Sequence, residues 1–496
     1  MAGGAAANVS SDDISGQLTK EVFITCLVAA SGGVLFGYDI VITGGVTTME
    51  PFLAKFFPMV LQNEGSAKRT VYCAYDNHLL TAFTSSLYIA GFTSSMLASR
   101  FTTSYGRKFT MLLGGLTFLI GGALTGGAQH VSMLIIGRLF LGFGVGFNNQ
   151  ATPLYLAEMA PSKWRGAFNT GFHLFVGIGN VVAALINYYA QSLFWGWRLS
   201  LGFAIIPALI MMLGIFFIAE SPSSLVQRGK MEEAKKTLVK IRSHANVEPE
   251  LDELVKAREV ANAAKEQPFF AIFRQEYRPH LVMSIAVPFF QQVGGICIIA
   301  FYAPAILSSL GSTNDAALFA AVILGVINIF SILVSAYAVD RCGRRILLLQ
   351  GGFQMLVPMG GMALMLEMTV DPEGTKPISK HTALIMLIML CVYSAGFGWS
   401  WGPLSWVIPS EIFPLKIRTI GQSISIAINF ATTFVIAQTF LTMLCHMRYG
   451  AFLFFAAWIF VMTTFVALFL PETKGISLDS MEVVWQGHWF WRKFVS

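Results

Sequence analysis

Charged residues are scarce in this chain of 496 residues: aspartate, glutamate, lysine and arginine make up 12% of it, whereas 55% is hydrophobic. Soluble globular domains carry about 25% charged residues, so this composition excludes a water-soluble globule. In place of charge the sequence has many apolar stretches of about 20 residues, the length that a helix needs to cross a hydrocarbon core roughly 30 Å thick. The sequence therefore predicts a helical membrane protein.

The sequence also lacks the signatures of catalysis and of nucleic-acid binding. It contains no recognisable pair of nucleophile and base and no metal-ligand cluster, and its polar segments are too short for a catalytic domain. We therefore expect no enzyme, no cofactor and no metal. Basic residues are not interleaved with aromatic ones, which argues against a nucleic-acid partner. The first 20 residues lack the features of a cleaved signal peptide.

Twelve apolar stretches are long enough to span a membrane. Twelve spans place both termini on one side, and most of the 33 lysines and arginines fall on that side, which is cytoplasmic by the positive-inside rule. The net charge of +6 is thus a signal of topology. The predicted spans are 22–45, 77–99, 109–128, 131–154, 168–190, 199–219, 281–305, 315–338, 346–368, 382–407, 419–443 and 449–470.

Two motifs recur in the two sets of six spans. "SYGRK" follows the second span and "DRCGRR" follows the eighth, while Glu158 and Glu411 each precede an arginine by seven residues. Repeated halves of this kind build the major facilitator transporters. We predict an all-α membrane protein with twelve transmembrane helices in two six-helix halves. The predicted domains are a cytoplasmic tail 1–21, an N-terminal half 22–219, a cytoplasmic helical linker 220–279, a C-terminal half 280–470 and a cytoplasmic tail 471–496.

The repeated charges are placed to form ion pairs between helix ends on the cytoplasmic face. Exposed pairs contribute only about 0 to 1 kcal/mol each, but a network can bias two packings of similar energy and so act as a gate. The alternative is that these residues are solvated loop ends that follow the positive-inside rule. The predicted gate consists of Arg107, Glu158 and Arg165 in one half and Arg344, Glu411 and Arg418 in the other.

Asp39 interrupts the glycine-rich apolar run "GGVLFGYDIVITGG" in the first span. A charge at the centre of a membrane costs at least about 2.5 to 3.5 kcal/mol and usually has a partner. Arg138 in the fourth span is the natural counter-ion. Burial disfavours the carboxylate while arginine favours it, so we predict that this pair carries and releases a proton. A fixed ion pair that only orders two helices is the alternative.

A cargo site is expected near the midplane, where helices break and expose polar groups. "VPFFQQVGGICIIAFYAP" at 287–304 and "WSWGPLSWVIP" at 399–409 combine proline and glycine with amides and tryptophans. Amides donate and accept together and aromatic rings cover C–H faces, which suits a neutral polyhydroxyl solute. Any one amide could instead bond a neighbouring helix. The uncharged amides are Gln291, Gln292, Asn328 and Asn429.

These motifs, together with "GRLFLGFGVGF", "AESPSSL" and "PETKG", resemble the sugar porter family of the major facilitator superfamily, and most closely the plant sugar transport proteins, over nearly the whole chain. The resemblance implies proton-coupled import of a monosaccharide such as glucose or a related hexose across the plasma membrane by alternating access. It implies that Asp39 and Arg138 exchange the proton and that Phe36 and Ile40 transmit sugar binding to them. The implied sugar contacts are Gln291, Gln292, Asn328, Trp406 and Asn429.

Two implied contacts depart from the family pattern. His173 stands where glutamine is usual, and Cys297 stands where the family has asparagine in "GIN". A thiol donates and accepts only weakly, and an unpaired sugar hydroxyl costs roughly 1 to 3 kcal/mol. The alternative function is therefore a receptor or regulator that binds sugar with altered specificity or little transport.

Two cysteines lie in predicted extracellular loops, where oxidising conditions favour a disulfide. They are Cys73 in the first loop and Cys445 in the last. The same resemblance implies that residues 46–76 form an outer lid that this disulfide joins to the other half.

Overall fold

The computed structural model describes residues 18–60, 77–161, 164–242, 247–263, 271–296, 299, 314–369, 380–414, 417–474 and 481–495. All regular elements within these ranges are helices. The first six predicted spans correspond to helices Lys20–Ala30 with Gly33–Val46, His78–Ser104, Arg107–Gly126, Val131–Met159, Arg165–Ala190, and Gly196–Gly202 with Ile205–Phe217. The last six correspond to Arg278–Val293, Asn314–Cys342, Arg344–Thr369, Lys380–Trp399 with Trp401–Ile412, Arg418–Met447, and Gly450–Phe469.

Ten helices in the described part of the chain are both long enough and apolar enough to cross a membrane. The second span, His78–Ser104, has the length but is rich in serine and threonine. Many of these hydroxyls bond carbonyls within the helix, as Ser86 does to Phe83, and this allows a polar helix to be buried. Only the first part of the seventh span, Arg278–Val293, is included in one continuous helix.

Several spans run past their predicted ends. The fourth span continues to Met159, the eighth to Cys342 and the eleventh to Met447. The added residues include polar ones, which a hydropathy pattern does not assign to a span. A helix can continue beyond the hydrocarbon core of the membrane, so the helix and the span need not end at the same residue. This extension places Glu158 on the last turn of the fourth span.

The described part of the linker contains three α-helices, at Pro222–Gln227, Met231–Arg242 and Glu248–Ala263. The middle helix is amphipathic, and Ala234, Leu238 and Ile241 form its buried face. Its Ile241 carbonyl accepts a hydrogen bond of 2.6 Å from Thr19, at the start of the first span. The linker is therefore attached to the end of the helix bundle at which the first span begins, at Lys20. We call this end of the bundle the linker face.

The two sets of six spans meet along two seams. The second span packs along the eleventh, and the fifth packs along the eighth. Glycines in the N-terminal set allow the helices to pack closely: a Cβ on Gly37 would overlap the Val176 backbone, and one on Gly142 would overlap the Leu87 carbonyl. These contacts fix the helices that carry the candidate site.

Candidate functional site

Asp39 and Arg138 form a buried ion pair between the first and fourth spans. The Arg138 Nη1 atom lies 2.6 Å from Asp39 Oδ1, and the two side chains are 0% and 3% exposed. The second carboxylate oxygen, Oδ2, is buried and has no hydrogen-bond partner in the described part of the chain. One oxygen thus holds the guanidinium while the other is available for a proton.

The guanidinium is held in place by groups other than Asp39. Its Nε and Nη2 atoms donate to the carbonyls of Phe83 and Thr84, at 3.3 and 3.4 Å. It also lies 5.4 Å from the centre of the Phe83 ring, a cation–π distance. These second-span contacts stabilise the arginine independently of the carboxylate, so a change in Asp39 does not leave Arg138 without partners.

An aromatic cluster joins the two halves next to this pair. Trp406 of the tenth span lies 5.6 Å from the His173 ring, 5.8 Å from Phe172 and 6.4 Å from Phe36, measured between ring centroids. Phe36 also makes an edge contact of 6.1 Å with Phe430. All of these rings are nearly buried. His173 Nε2 is buried and has no hydrogen-bond partner among the described residues, although the ring packs beside Trp406 and Phe172.

The predicted amides of the C-terminal half form a connected group. Gln291 donates to the carbonyls of Trp401 and Gly402 at 3.1 and 3.0 Å and accepts from Asn429 at 2.8 Å. Gln292 donates weakly to Gln291 at 3.5 Å. The tenth span is broken at Ser400, as its glycine and proline predicted, and Gln291 bonds the carbonyls that follow the break. The seventh, tenth and eleventh spans are thus joined by one amide network.

The seventh span is broken where its glycines predicted. The helix ends at Val293, and Gly295 has a φ of 100°, which favours glycine. The hydroxyl of Tyr393 donates to the Gly294 carbonyl at 2.8 Å and so satisfies a group that the break exposes. Cys297, the predicted sugar contact beyond this break, lies outside the described residues.

Asn328 of the eighth span lies at the boundary between the halves. It is half-buried, close to Gly398 of the tenth span and to Gly177 of the fifth. Ile40 follows Asp39 in the first span, is partly buried and packs against the hydrophobic core.

The predicted gate residues form ion pairs within each half. Arg107 lies 2.7 Å from Glu158, and Arg344 lies 2.7 Å from Glu411. Arg418 donates through Nε to the Phe413 carbonyl at 3.3 Å. The side chain of Arg165 is outside the described part of the structure.

Each of these two ion pairs is accompanied by one further acidic residue, for which the sequence predicted no role. Glu220 accepts a hydrogen bond of 3.1 Å from the backbone N–H of Arg107, and Glu472 accepts one of 2.9 Å from that of Arg344. Each carboxylate thus caps the start of a helix, where negative charge is favourable. Glu220 belongs to the motif "AESPSSL" and Glu472 to the motif "PETKG". The motifs thus include both residues, but they do not indicate which helix each residue caps.

The turns that precede these helices need glycine for the same reason in both halves. Gly106 has a φ of 96° and Gly343 a φ of 93°, a region that residues with a Cβ rarely adopt. A Cβ at Gly106 would also overlap the Glu220 carboxylate, and one at Gly343 would contact that of Glu472. The repeat seen in the sequence is therefore a repeat of one complete local structure.

Polar contacts between the halves involve residues that sequence analysis missed. Asn169 of the fifth span donates to Ser410 of the tenth at 3.0 Å, towards the linker face. On the opposite side of the bundle, Gln438 donates to Thr81 at 3.1 Å and accepts from Ser85 at 2.7 Å. A single polar residue in an apolar helix does not indicate which residue it bonds, so these pairs could not be predicted from the sequence.

We expect Asn169→Ala to open the linker face more often, because it removes a buried contact between the halves. A net hydrogen bond is worth about 1 kcal/mol, which corresponds to roughly a fivefold change in the ratio of two states. The measurement is alkylation by an impermeant maleimide, applied from the linker face to a cysteine introduced at the buried position Val407, one turn from Ser410, so that the Ser410 hydroxyl is kept. Mass spectrometry of the peptide that carries position 407 should give roughly fivefold faster labelling with Asn169→Ala.

Thr170→Ala is the matched control, since the Thr170 hydroxyl bonds Gly166 within its own helix. Equal labelling rates in the protein that keeps Asn169 and in Asn169→Ala would show that this hydrogen bond does not hold the two halves together at the linker face.

The predicted disulfide is only partly within the described chain. Cys445 is near the end of the eleventh span, but Cys73 lies outside the described residues, so the pairing remains a prediction. Cys26, Cys342 and Cys391 are free thiols.

The helices and the repeated charge groups define a multi-pass membrane protein with the major facilitator fold. The family described as sugar (and other) transporter matches residues 25–485, and the chain belongs to this family. It is 54% identical to Sugar transport protein 5 of Arabidopsis thaliana, over 99% of this chain and 98% of that protein. It is 51% identical to Sugar transport protein MST3 of Oryza sativa subsp. japonica, over 100% of this chain and 96% of that protein.

Solved structures support the same fold. The proton:xylose symporter XylE bound to 6-bromo-6-deoxy-D-glucose matches with a TM-score of 0.81 at 25% identity, covering 95% of this chain and all of that one. The inward-open form of the E. coli xylose transporter XylE matches with a lower TM-score of 0.71, covering 93% of this chain and 99% of that one.

Proposed function

We propose that this protein is a proton-coupled monosaccharide symporter that works by alternating access. The observation that carries the proposal is the position of the ion pair between Asp39 and Arg138. It lies one helical turn from Phe36, which contacts the C-terminal half through Trp406 and Phe430. The names of the relatives, which are sugar transport proteins and a proton:xylose symporter, agree with this function.

The coupling follows from the rigidity of the first span. Asp39 and Phe36 are three residues apart and so lie on neighbouring positions of one helix face. Protonation of Asp39 removes the charge that attracts Arg138, and any movement of Asp39 also moves Phe36 against Trp406. Each unit of difference in proton affinity between two conformations corresponds to about 1.4 kcal/mol, which is available to drive sugar uphill.

We infer that the cargo binds between the aromatic cluster and the amide network. Trp406 offers a ring face, while Gln291, Gln292 and Asn429 offer both donors and acceptors. Such groups recognise hydroxyls without requiring a charge on the solute. We assign Ile40, His173, Cys297 and Asn328 to the same site.

We assign a gating role to the ion pairs near the linker face. Arg107 with Glu158 and Arg344 with Glu411 each order the helix ends of one half, and each half can therefore rotate as a unit. Contacts between the halves, such as that of Asn169 with Ser410, then form and break. Buried ion pairs are better suited to fixing one arrangement than to adding stability.

The orientation and domain boundaries belong to the same proposal. The linker face and both termini are cytoplasmic, and the protein resides in the plasma membrane. The domains are the tail 1–21, the half 22–219 with an outer lid at 46–76, the linker 220–279, the half 280–470 and the tail 471–496. A sugar receptor with little transport is not favoured, because the curated relatives are named as transport proteins.

Uptake of labelled hexoses and pentoses into yeast that lacks its own hexose transporters tests this function. We expect at least one sugar to accumulate above its external concentration and an uncoupler to abolish that accumulation. Cells that carry the empty vector are the control. Accumulation that persists with the uncoupler would contradict proton coupling, and the absence of any uptake by a protein that still binds sugar would favour the receptor.

A further inference from the structure

The last described residues, Met481–Val495, form a segment that packs on the linker face of the C-terminal half, and we call it the C-terminal segment. Its Trp485 and Trp491 side chains are 0% and 3% exposed. The Trp491 indole donates to the carbonyl of Phe469, at the end of the twelfth span, at 2.7 Å. Trp485 makes an edge contact of 5.6 Å with His280, at the start of the seventh span. The segment is therefore a fixed part of the fold.

One tryptophan of this segment is exposed at the edge of the apolar surface. Trp489 is 57% exposed, and its indole donates to the Leu468 carbonyl at 3.1 Å. Leu468 is itself 47% exposed and lies on the last turn of the twelfth span, where exposed side chains face lipid. Tryptophan is enriched at this depth because its ring is apolar while its N–H is polar. The position thus marks the boundary between hydrocarbon and headgroups.

Cationic residues lie near the exposed ring in the fold and in the sequence. Arg345, at the start of the ninth span, donates through Nη2 to the carbonyl of Ala467, the residue before the Leu468 that Trp489 bonds, at 2.5 Å, while its buried Nε has no partner among the described residues. Burial and then the charge of Arg345 lower the pKa of His488, the residue that precedes Trp489. Arg492 and Lys493 are exposed on the short turn that follows.

Glu472 is an acidic residue beside Arg345, and its two carboxylate oxygens accept hydrogen bonds from the backbone N–H groups of Arg344 and Arg345, so it caps the ninth span. The neighbouring side chain at Ile346 is exposed and apolar. An anion that approaches from the membrane would therefore meet cations together with apolar contacts for its acyl chains.

We propose that Arg345, Trp489, Arg492 and Lys493 form a site for the headgroup of an anionic glycerophospholipid in the leaflet at the linker face. The phosphate pairs with the cations, and the acyl chains lie along the apolar ends of the ninth and twelfth spans. The proposed orientation makes this the cytoplasmic leaflet, which carries anionic lipid. The site requires only that the chain spans a membrane, so it does not depend on the identity of the cargo.

The test is native mass spectrometry of the full-length protein, titrated with phosphatidylserine or with phosphatidylcholine of the same acyl chains. We expect the wild type to prefer phosphatidylserine. Each surface cation contributes roughly a fivefold change in affinity for anionic lipid, so the variant Arg492→Gln with Lys493→Gln should lose roughly 25-fold. Its affinity for phosphatidylcholine should not change.

The matched control is Lys236→Gln with Lys256→Gln, which removes the same charge from exposed positions on the linker helices. An equal loss of phosphatidylserine affinity in this control would show an effect of net charge and would contradict the site. Unchanged phosphatidylserine affinity in Arg492→Gln with Lys493→Gln would contradict it as well. Competition with soluble glycerol phosphate separates a lipid from a free phosphate: full displacement at low concentration would contradict a lipid site. Sugar uptake by the same variants tests the proposed function separately.

Discussion

Asp39→Asn is expected to abolish uphill accumulation of sugar and its dependence on external pH. The amide has nearly the shape of the protonated carboxyl group but cannot release a proton, so the variant is fixed in one protonation state. Because Arg138 keeps its bonds to the carbonyls of Phe83 and Thr84, we expect the protein to fold. Uptake of labelled sugar as a function of external pH measures both effects.

Counterflow separates loss of coupling from loss of transport. Exchange of labelled for unlabelled sugar needs no net proton movement, so Asp39→Asn should retain it. Asp252→Asn, on the exposed side of a linker helix, is the control for removal of one negative charge. Undiminished and pH-dependent accumulation in Asp39→Asn would refute the proton-coupling role of this residue.

Replacing His173 by Gln together with Cys297 by Asn is expected to raise glucose uptake, mainly through a lower apparent KM. Among the described residues His173 Nε2 has no hydrogen-bond partner, and its ring packs beside Trp406, whereas an amide at this position would offer a donor and an acceptor. Each restored hydrogen bond is worth about 1 to 2 kcal/mol, a factor of roughly five to thirty in affinity. Initial rates of uptake over a range of glucose concentrations give the KM.

The single replacements are the controls, and each should recover less than the pair. Histidine titrates near neutral pH when exposed to water, so the comparison should cover several external pH values. Weaker glucose uptake in the double variant than in the wild type would show that His173 and Cys297 belong to a competent site with a different organisation.

The local features of this protein could be predicted because each depends on residues that are near one another in the sequence. Span lengths follow from apolar runs, and the breaks after Val293 and at Ser400 follow from glycine and proline. The second span shows where this reasoning weakens, since many of its hydroxyls bond carbonyls within the helix and so lower its hydropathy without preventing burial.

Pairing between Asp39 and Arg138 could also be expected from the sequence, for an energetic reason. Charges within spans are costly and few, so the choice of partner was small. Amides are less costly and more numerous, and the sequence could not say that Gln291 bonds Asn429 and the broken tenth span. A hydrogen bond between two helices produces no periodic pattern in the sequence that would identify its two partners.

By itself, the sequence determined that the chain crosses the membrane, where its helices break and which charges repeat, because burial in lipid constrains every residue of a span. Only the tertiary structure decided which surfaces meet. Asn169 and Ser410 are 241 positions apart and yet form a bond of 3.0 Å between the halves. Glu220 and Glu472 cap helices that begin more than a hundred residues earlier. Such contacts depend on how helices pack in three dimensions, and single polar residues carry no local record of their partners.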